Sequence, residues 1–414
     1  MTEARTAASK IATLLVGSAL LTLGNGLQGT LVAVRADIEG FGELVTGLVM
    51  AAFFVGFVAG SLLTPYLIER AGHIRVFAAL ASIASAATLA HILHVDPWSW
   101  AALRAANGWC YAGVVMVVES WLNGAATRRT RGRVLSVYGS VVIGAWALSQ
   151  GLLVVADPMS FELFCLVSIL ISLSLVPVTL SRAEAPGSPR ALKLKPRRLW
   201  AVSPLGMVGA FATGLAMSAF WAMGPVYARA LGLEPGGVAL FMGATMAGAM
   251  VLQWPIGVAS DRVDRRIVVF ATASGAAVLA MILGRGTGSG EGVPTALAFA
   301  FGGLAIPIYS VCLAQMNDYL EPEELVTAAG GLLLLYGLGS MIGPIGAGAL
   351  MARFGPSALF AWTGTILIGV AIFAASRMVR GRPVPEATRG EYRSVPRTTQ
   401  AVLDLDPRGD ADGP

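Results

Sequence analysis

Charged side chains are scarce in this sequence: Asp, Glu, Lys and Arg make up 13% of its 414 residues, against roughly a quarter in soluble globular domains. The scarcity is uneven. Residues 11–34, 44–68, 134–156, 199–228, 235–260, 292–317, 325–352 and 354–376 contain none of the four. About 20 apolar residues cross the hydrocarbon core of a bilayer as a helix, so each run is long enough to span one. A soluble α/β protein is excluded, because its apolar strands are short and its helices keep a wet, charged face. Cysteine is equally sparse. Cys110, Cys165 and Cys312 are the only three; they fall within expected membrane spans (98–122, 161–181 and 294–317), no two have metal-site spacing, and they do not make a disulfide scaffold. A complete P-loop is missing too, which argues against an ATP-driven machine. With no catalytic constellation and no grouped metal ligands, the expectation is a non-enzyme without resident metal or cofactor.

What is present is a succession of apolar spans. Turn residues and charges divide them into twelve: 11–34, 44–68, 75–93, 98–122, 134–156, 161–181, 201–228, 236–259, 267–285, 294–317, 326–351 and 356–377. The Ala-rich 75–93 and 267–285 are the shortest for their task. The first run follows Lys10, exceeds a signal-peptide core in length and ends without a small-residue cleavage site, so it reads as a retained first span.

Charge placement gives an orientation. Of 29 Lys and Arg residues, four (Arg35, Arg229, Arg285 and Arg353) fall in odd-numbered connections, and Arg104 lies within a span. The rest sit in even-numbered connections or the ends, so the positive-inside rule places both termini in the cytoplasm. The net charge of +5 follows from this placement and needs no nucleic acid. The basic, Pro-containing stretch 182–200 reads as a cytoplasmic linker, with a short surface-lying segment around Leu192–Leu199, between six-span halves at 1–181 and 201–379. Residues 380–414 turn polar and rich in Pro, Arg, Asp and Gly, which reads as a disordered cytoplasmic tail.

The halves echo each other. RGRVLSVYG at 131–139 corresponds in position to AGGLLLLYG at 329–337, and IERAGHIRV at 68–76 to SDRVDRRIV at 260–268. The run GVASDRVDRR at 257–266 ends one span and starts the next. Asp261 there can favour a helix N-terminus, while Arg262, Arg265 and Arg266 supply fixed donors, a pattern fit for a latch between conformations. An ordinary basic membrane turn is the plainer alternative.

These turns resemble the G-x-x-x-D-R-x-G-R-R signature of the Major Facilitator Superfamily. The second copy keeps Gly257, Asp261, Arg262, Arg265 and Arg266, with Asp264 replacing the later Gly. The first keeps Glu69, Arg70, Gly72 and Arg75 but has Pro65 for the leading Gly. Arg104-Ala-Ala-Asn107-Gly108 is similar to the family's R-x-x-Q-G pattern. GLQGTLVAVRADIEGF at 26–41, the turn through GHIRVF at 72–77, RAANGWCYAGVVMVVESWLN at 104–123 and RGRVLSVYG together resemble its YcaD-like branch, and the superfamily resemblance spans residues 10–380. The resemblance implies an all-α fold of twelve transmembrane helices in two six-helix bundles, acting in the bacterial inner membrane as a monomeric secondary transporter. It also implies cytoplasmic gates at the two turns.

Polar residues inside spans are the candidates for the pathway. Arg104 lies about 9 Å inside the fourth span at helical rise and is too costly to face lipid without a partner or water. It can recognise an anion, oppose a proton carrier, or be satisfied structurally. Asn25, Gln28, Asn107, Gln150 and Gln253 are further candidates, with inter-helix hydrogen bonding as their plain alternative. Glu119 lies roughly 22 Å along the helix from Arg104, so the two cannot pair. It can carry a proton, or cap and latch with Arg131 or Arg133. The glycine-proline run GLGSMIGPIGAG at 337–348 allows close packing and a bend. The leading expectation is proton-coupled export of a small amphipathic organic solute, with solute, protons and lipids as partners. An importer of a small organic anion and a non-transporting assembly or sensory protein are the alternatives.

Overall fold

Proline sets where several helices begin. It lacks an N–H and has a helix-compatible φ, which suits the first turn, and Pro97, Pro204, Pro235 and Pro322 each open a helix. Asp96 and Ser203, just ahead of two of them, cap the free amides of Ser99 at 2.8 Å and Gly206 at 3.1 Å. The structure is a computed structural model and describes residues 2–127, 130–180, 196–286, 290–380, 392, 398, 399, 401 and 402. Its α-helices are α1 (Thr2–Ile38), α2 (Glu43–Ala71), α3 (His73–Leu93), α4 (Pro97–Ala125), α5 (Arg131–Gly151), α6 (Glu162–Leu180), α7 (Pro196–Val202), α8 (Pro204–Ala230), α9 (Pro235–Arg262), α10 (Arg265–Gly284), α11 (Gly292–Ala305), α12 (Pro307–Asn317), α13 (Pro322–Phe354) and α14 (Ala358–Arg380).

Eleven stretches are long and apolar enough to cross a bilayer, α11 and α12 together forming one, Gly292–Asn317. The chain is therefore a multi-pass membrane protein. The sixth expected span is apolar but shorter, Glu162–Pro177. The tenth, expected as one helix over 294–317, is broken at Ile306 because Pro307 has no N–H to continue the ladder. Both spans expected to be weakest are present as α3 and α10. Gly72, at φ 81°, turns the chain from α2 directly into α3, a conformation that favours glycine.

The early helices pack as α2 on α4, α1 on α5 and α6, and α3 on α4 and α6; the later ones as α8 on α12, α13 and α14, α9 on α11, and α10 on α14. The pairs α2 with α13, α5 with α9, α1 with α8 and α2 with α8 join the two sets. Backbones meet through glycine. A Cβ on Gly56 or Gly108 would lie 1.8 Å from Ala105 O or 1.9 Å from Phe53 O, locking α2 to α4. Gly248 and Gly302 repeat the device between α9 and α11, at 1.8 Å from Phe299 O and 2.1 Å from Thr245 O. Small residues let membrane helices approach this closely, and the repetition supports the sequence echo between halves.

Residues 182–195 of the expected linker lie outside the described residues; its end forms α7. Most of the expected tail also lies outside them. The reading of 380–414 as a disordered tail needs correction for Thr398, Thr399, Ala401 and Val402, which are buried.

Candidate functional site

Between the two sets of helices lies a cavity of about 240 Å³, against the roughly 10–15 Å³ that one water requires. It is walled by both sets: Asn25, Phe53 and Arg104 from the first, Trp221, Gln253 and Tyr336 from the second. Trp146 of α5 meets Trp221 of α8 edge-on, ring centroids 5.4 Å apart, so the aromatic wall itself bridges the sets.

Arg104 is the cavity's most consequential side chain. It is 3% exposed, and its Nε and Nη1 are buried without a hydrogen-bond partner. Its guanidinium carbon sits 4.5 Å above the Phe53 ring, a cation–π contact worth about 0.5–2 kcal/mol. That contact does not supply acceptors for the two N–H groups. The arrangement can receive an acceptor-bearing, negatively charged group while the surrounding rings cover an apolar body.

The other candidates divide. Asn25 and Gln253 line the cavity with Arg104. Gln28 does not; its Nε2 donates to Thr88 Oγ1 at 3.0 Å, tying α1 to α3. Gln150 accepts from Thr30 at 2.6 Å and donates to Ser149 at 3.0 Å, tying α1 to α5. Asn107 is buried with both side-chain polar atoms unpartnered, and it borders a small side pocket shared with Asn25 and Gln28. Of the two readings open for Gln28, the structure shows the inter-helix hydrogen bond: its helical position faces the helix–helix seam. The aromatic lining, Phe53, Phe54, Phe57, Tyr111 and Trp146, was not among the candidates. The clustered aromatics on α2 were the available signal, but a lipid-facing stripe has the same composition.

The face carrying the α2–α3 and α9–α10 turns is here the basic face. Glu69, Arg70 and Arg75 are exposed there, and among the described residues Glu69 and Arg70 make no ion pair. The second turn is organised. Arg265 is 1% exposed and donates to Asp318 Oδ2 at 2.7 Å and Ser260 Oγ at 2.8 Å, with Asp261 3.4 Å away. Arg266 binds Asp264 at 2.6 Å and the carbonyl of Arg377 at 2.9 Å. Arg262 is exposed. Among the described residues, these contacts lie within the second set of helices.

Glu119 is fully buried near the same face. It makes no latch with Arg131 or Arg133. Its carboxylate accepts from the Tyr138 hydroxyl at 2.8 Å and from the hydroxyls of Thr398 and Thr399. On the second set, Asp261 accepts from the Tyr392 amide at 2.8 Å, and the Tyr392 ring covers Gly257, where a Cβ would come within 2.4 Å of it.

The opposite face is closed by direct contact. Arg229 at the end of α8 donates to Asp37 at the end of α1 at 2.7 Å. Added Cβ atoms on Gly47 and Gly348 would meet Pro344 O at 2.4 Å and Glu43 O at 2.5 Å, so α2 and α13 touch backbone to backbone. A solute-sized cavity sealed at one face is the geometry of a carrier.

The Major Facilitator Superfamily pattern matches residues 14–234 and 206–404. An uncharacterised MFS-type transporter, YcaD, of Escherichia coli is 30% identical over 359 residues, covering 84% of this chain and 90% of its own. An uncharacterised MFS-type transporter of Enterobacter sp. strain 638 is 27% identical over 376 residues, 90% of this chain and 97% of its own. Among solved structures, the nucleoside transporter NupG superimposes with a TM-score of 0.73 at 13% identity, over 89% of this chain and 98% of its own, a likeness of fold. The matched proteins are transporters and not enzymes. The chain belongs to the Major Facilitator Superfamily, in its YcaD-like branch.

Proposed function

We propose that this transporter moves a small amphipathic organic solute outward across the bacterial cytoplasmic membrane by alternating access, driven by the proton gradient. A monomer of twelve spans in two six-helix bundles carries the solute, with both termini and the basic face in the cytoplasm. The observation that carries the reading is the cavity walled by both sets of helices and closed by direct helix contact at the face opposite the basic one. Rocking the sets about it exposes the same pocket to alternate sides. Glu119, a buried carboxylate at the basic face, is the candidate proton carrier.

Import of a small organic anion is the second reading, and the unpartnered nitrogens of Arg104 favour it. An anion would supply the acceptors that the protein does not. Oriented proteoliposomes, an imposed pH gradient and a panel of neutral, cationic and anionic amphipaths test both readings. Flux of an anion lost in R104A supports the second. Flux of other solutes that collapses the gradient, and does not do so in E119Q, supports the first. No flux across the panel from correctly folded protein, together with stable capture of a membrane partner, would instead support an assembly or sensory role.

A further inference from the structure

The basic face carries an occupant that the cavity itself does not require. Thr398 and Thr399 reach Glu119 on α4 from 279 and 280 residues away in sequence. Both hydroxyls are buried with it, at 7% and 0% exposure, and Ala401 and Val402 beside them are 1% and 0% exposed. The same tail touches the other set of helices, where the Tyr392 amide binds Asp261 and the ring covers Gly257 on α9. Thr398 also forms part of the cavity wall. One segment is therefore tied to the first set, to the second set and to the pocket between them.

The chemistry of the contacts is specific. A buried carboxylate without a cationic partner needs donors to compensate for lost water. Glu119 has three hydroxyl donors, and two of them come from the tail. Withdrawing the tail leaves that carboxylate with Tyr138 and whatever water enters. The apolar side chains of Ala401 and Val402 join the hydrophobic core, so the docked segment carries both a polar anchor and an apolar one. Tyr392 fits where glycine, and no larger residue, leaves room.

We propose that Tyr392, Thr398, Thr399, Ala401 and Val402 of the tail form a built-in plug, which docks between the two sets of helices at the basic face and holds the carrier closed at the opposite face. The opposite-face contacts through Asp37 and Arg229, and through Gly47 and Pro344, persist while the plug is seated. The basic face cannot close over a segment lodged between its two walls. Solute entering from that face and the plug compete, because Thr398 lines the volume the solute would occupy. The block on transport rests on the transporter reading; the docking itself does not.

Cysteine reactivity tests docking and block without knowing the solute. In a C110A/C165A/C312A background, membrane vesicles are chosen in the orientation where R70C, exposed on the basic face, reacts with an impermeant maleimide. V402C in the full chain is expected to react at least tenfold more slowly than R70C. Filling the Tyr392 seat with G257W, or removing the anchors with T398A/T399A, is expected to speed V402C at least fivefold. From the opposite face, T30C in the cavity wall is expected to react severalfold faster once the anchors are removed, because that face becomes free to open. A V402C rate equal to that of R70C overturns docking. A protected V402C with T30C unchanged by T398A/T399A overturns the block. Failure of every solute to move leaves both readouts intact, so loss of the transporter reading is told apart from loss of the plug.

Discussion

Arg104→Met is expected to make the solute-free protein more stable while removing recognition of an anionic solute. The magnitude follows from the two buried, unpartnered nitrogens. Leaving one buried donor unsatisfied costs about 1–3 kcal/mol, more when it is charged. Two such donors set a gross penalty of roughly 2–6 kcal/mol, and the cation–π contact with Phe53 offsets about 0.5–2 kcal/mol of it. Methionine fills comparable length, packs on the aromatic wall and needs no acceptor. The net expectation is a gain of roughly 0–5 kcal/mol, read as a rise of up to several degrees in the thermal unfolding midpoint of purified protein. In wild type an excess of a bound anion should produce a similar rise by mass action, and in R104M it should produce none. A fall of several degrees in R104M without solute would refute the reasoning, since it would mean that Arg104 holds the fold together.

Other perturbations probe the scaffold and the seal. Gly108→Leu must push α4 away from the Phe53 carbonyl, and should cost at least about 1–3 kcal/mol, seen as aggregation in size-exclusion chromatography or a lower unfolding midpoint; unchanged behaviour would contradict the close α2–α4 contact. Arg265→Ala removes the cation 2.7 Å from the buried Asp318 carboxylate, 1% exposed, and should destabilise by up to about 3–5 kcal/mol, with D318N/R265A recovering part of the loss. Asp37→Ala removes an ion pair about one-third exposed, so stability should change by no more than roughly 0.2–1 kcal/mol. T30C labelling from the opposite face should nonetheless rise in D37A, and an unchanged rate would show that the pair does not seal that face.

The body of the protein was legible because its physics is an exclusion: charge cannot sit in hydrocarbon, so the gaps between charged residues outlined the spans. The break at Pro307 was written in the sequence, yet a proline within a span can bend a helix as readily as divide it. The site was legible in part. Arg104, Asn25 and Gln253 were found because polar groups at membrane depth must face something polar. Gln28 and Gln150 obey the same rule by bonding to neighbouring helices, and sequence cannot say which neighbour is present. Spans apolar on every side carry no periodic signal for the inward face, so the aromatics around Arg104 looked like lipid-facing ones. The tail misled for a different reason. Thr398 and Thr399 stand in a polar, proline-containing stretch that reads as solvated, and the buried carboxylate they bond to, Glu119, is distant in sequence.

Alternating exposure of the central cavity is the claim on which the functional account turns, and locking the opposite face tests it most directly. In the cysteine-free background, D37C and R229C replace the ion pair that joins α1 to α8, and a short bismaleimide links them in proteoliposomes that already show solute flux. The expected result is that linking reduces flux to background, while single-cysteine proteins treated alike keep theirs. Undiminished flux through the linked protein would contradict the account.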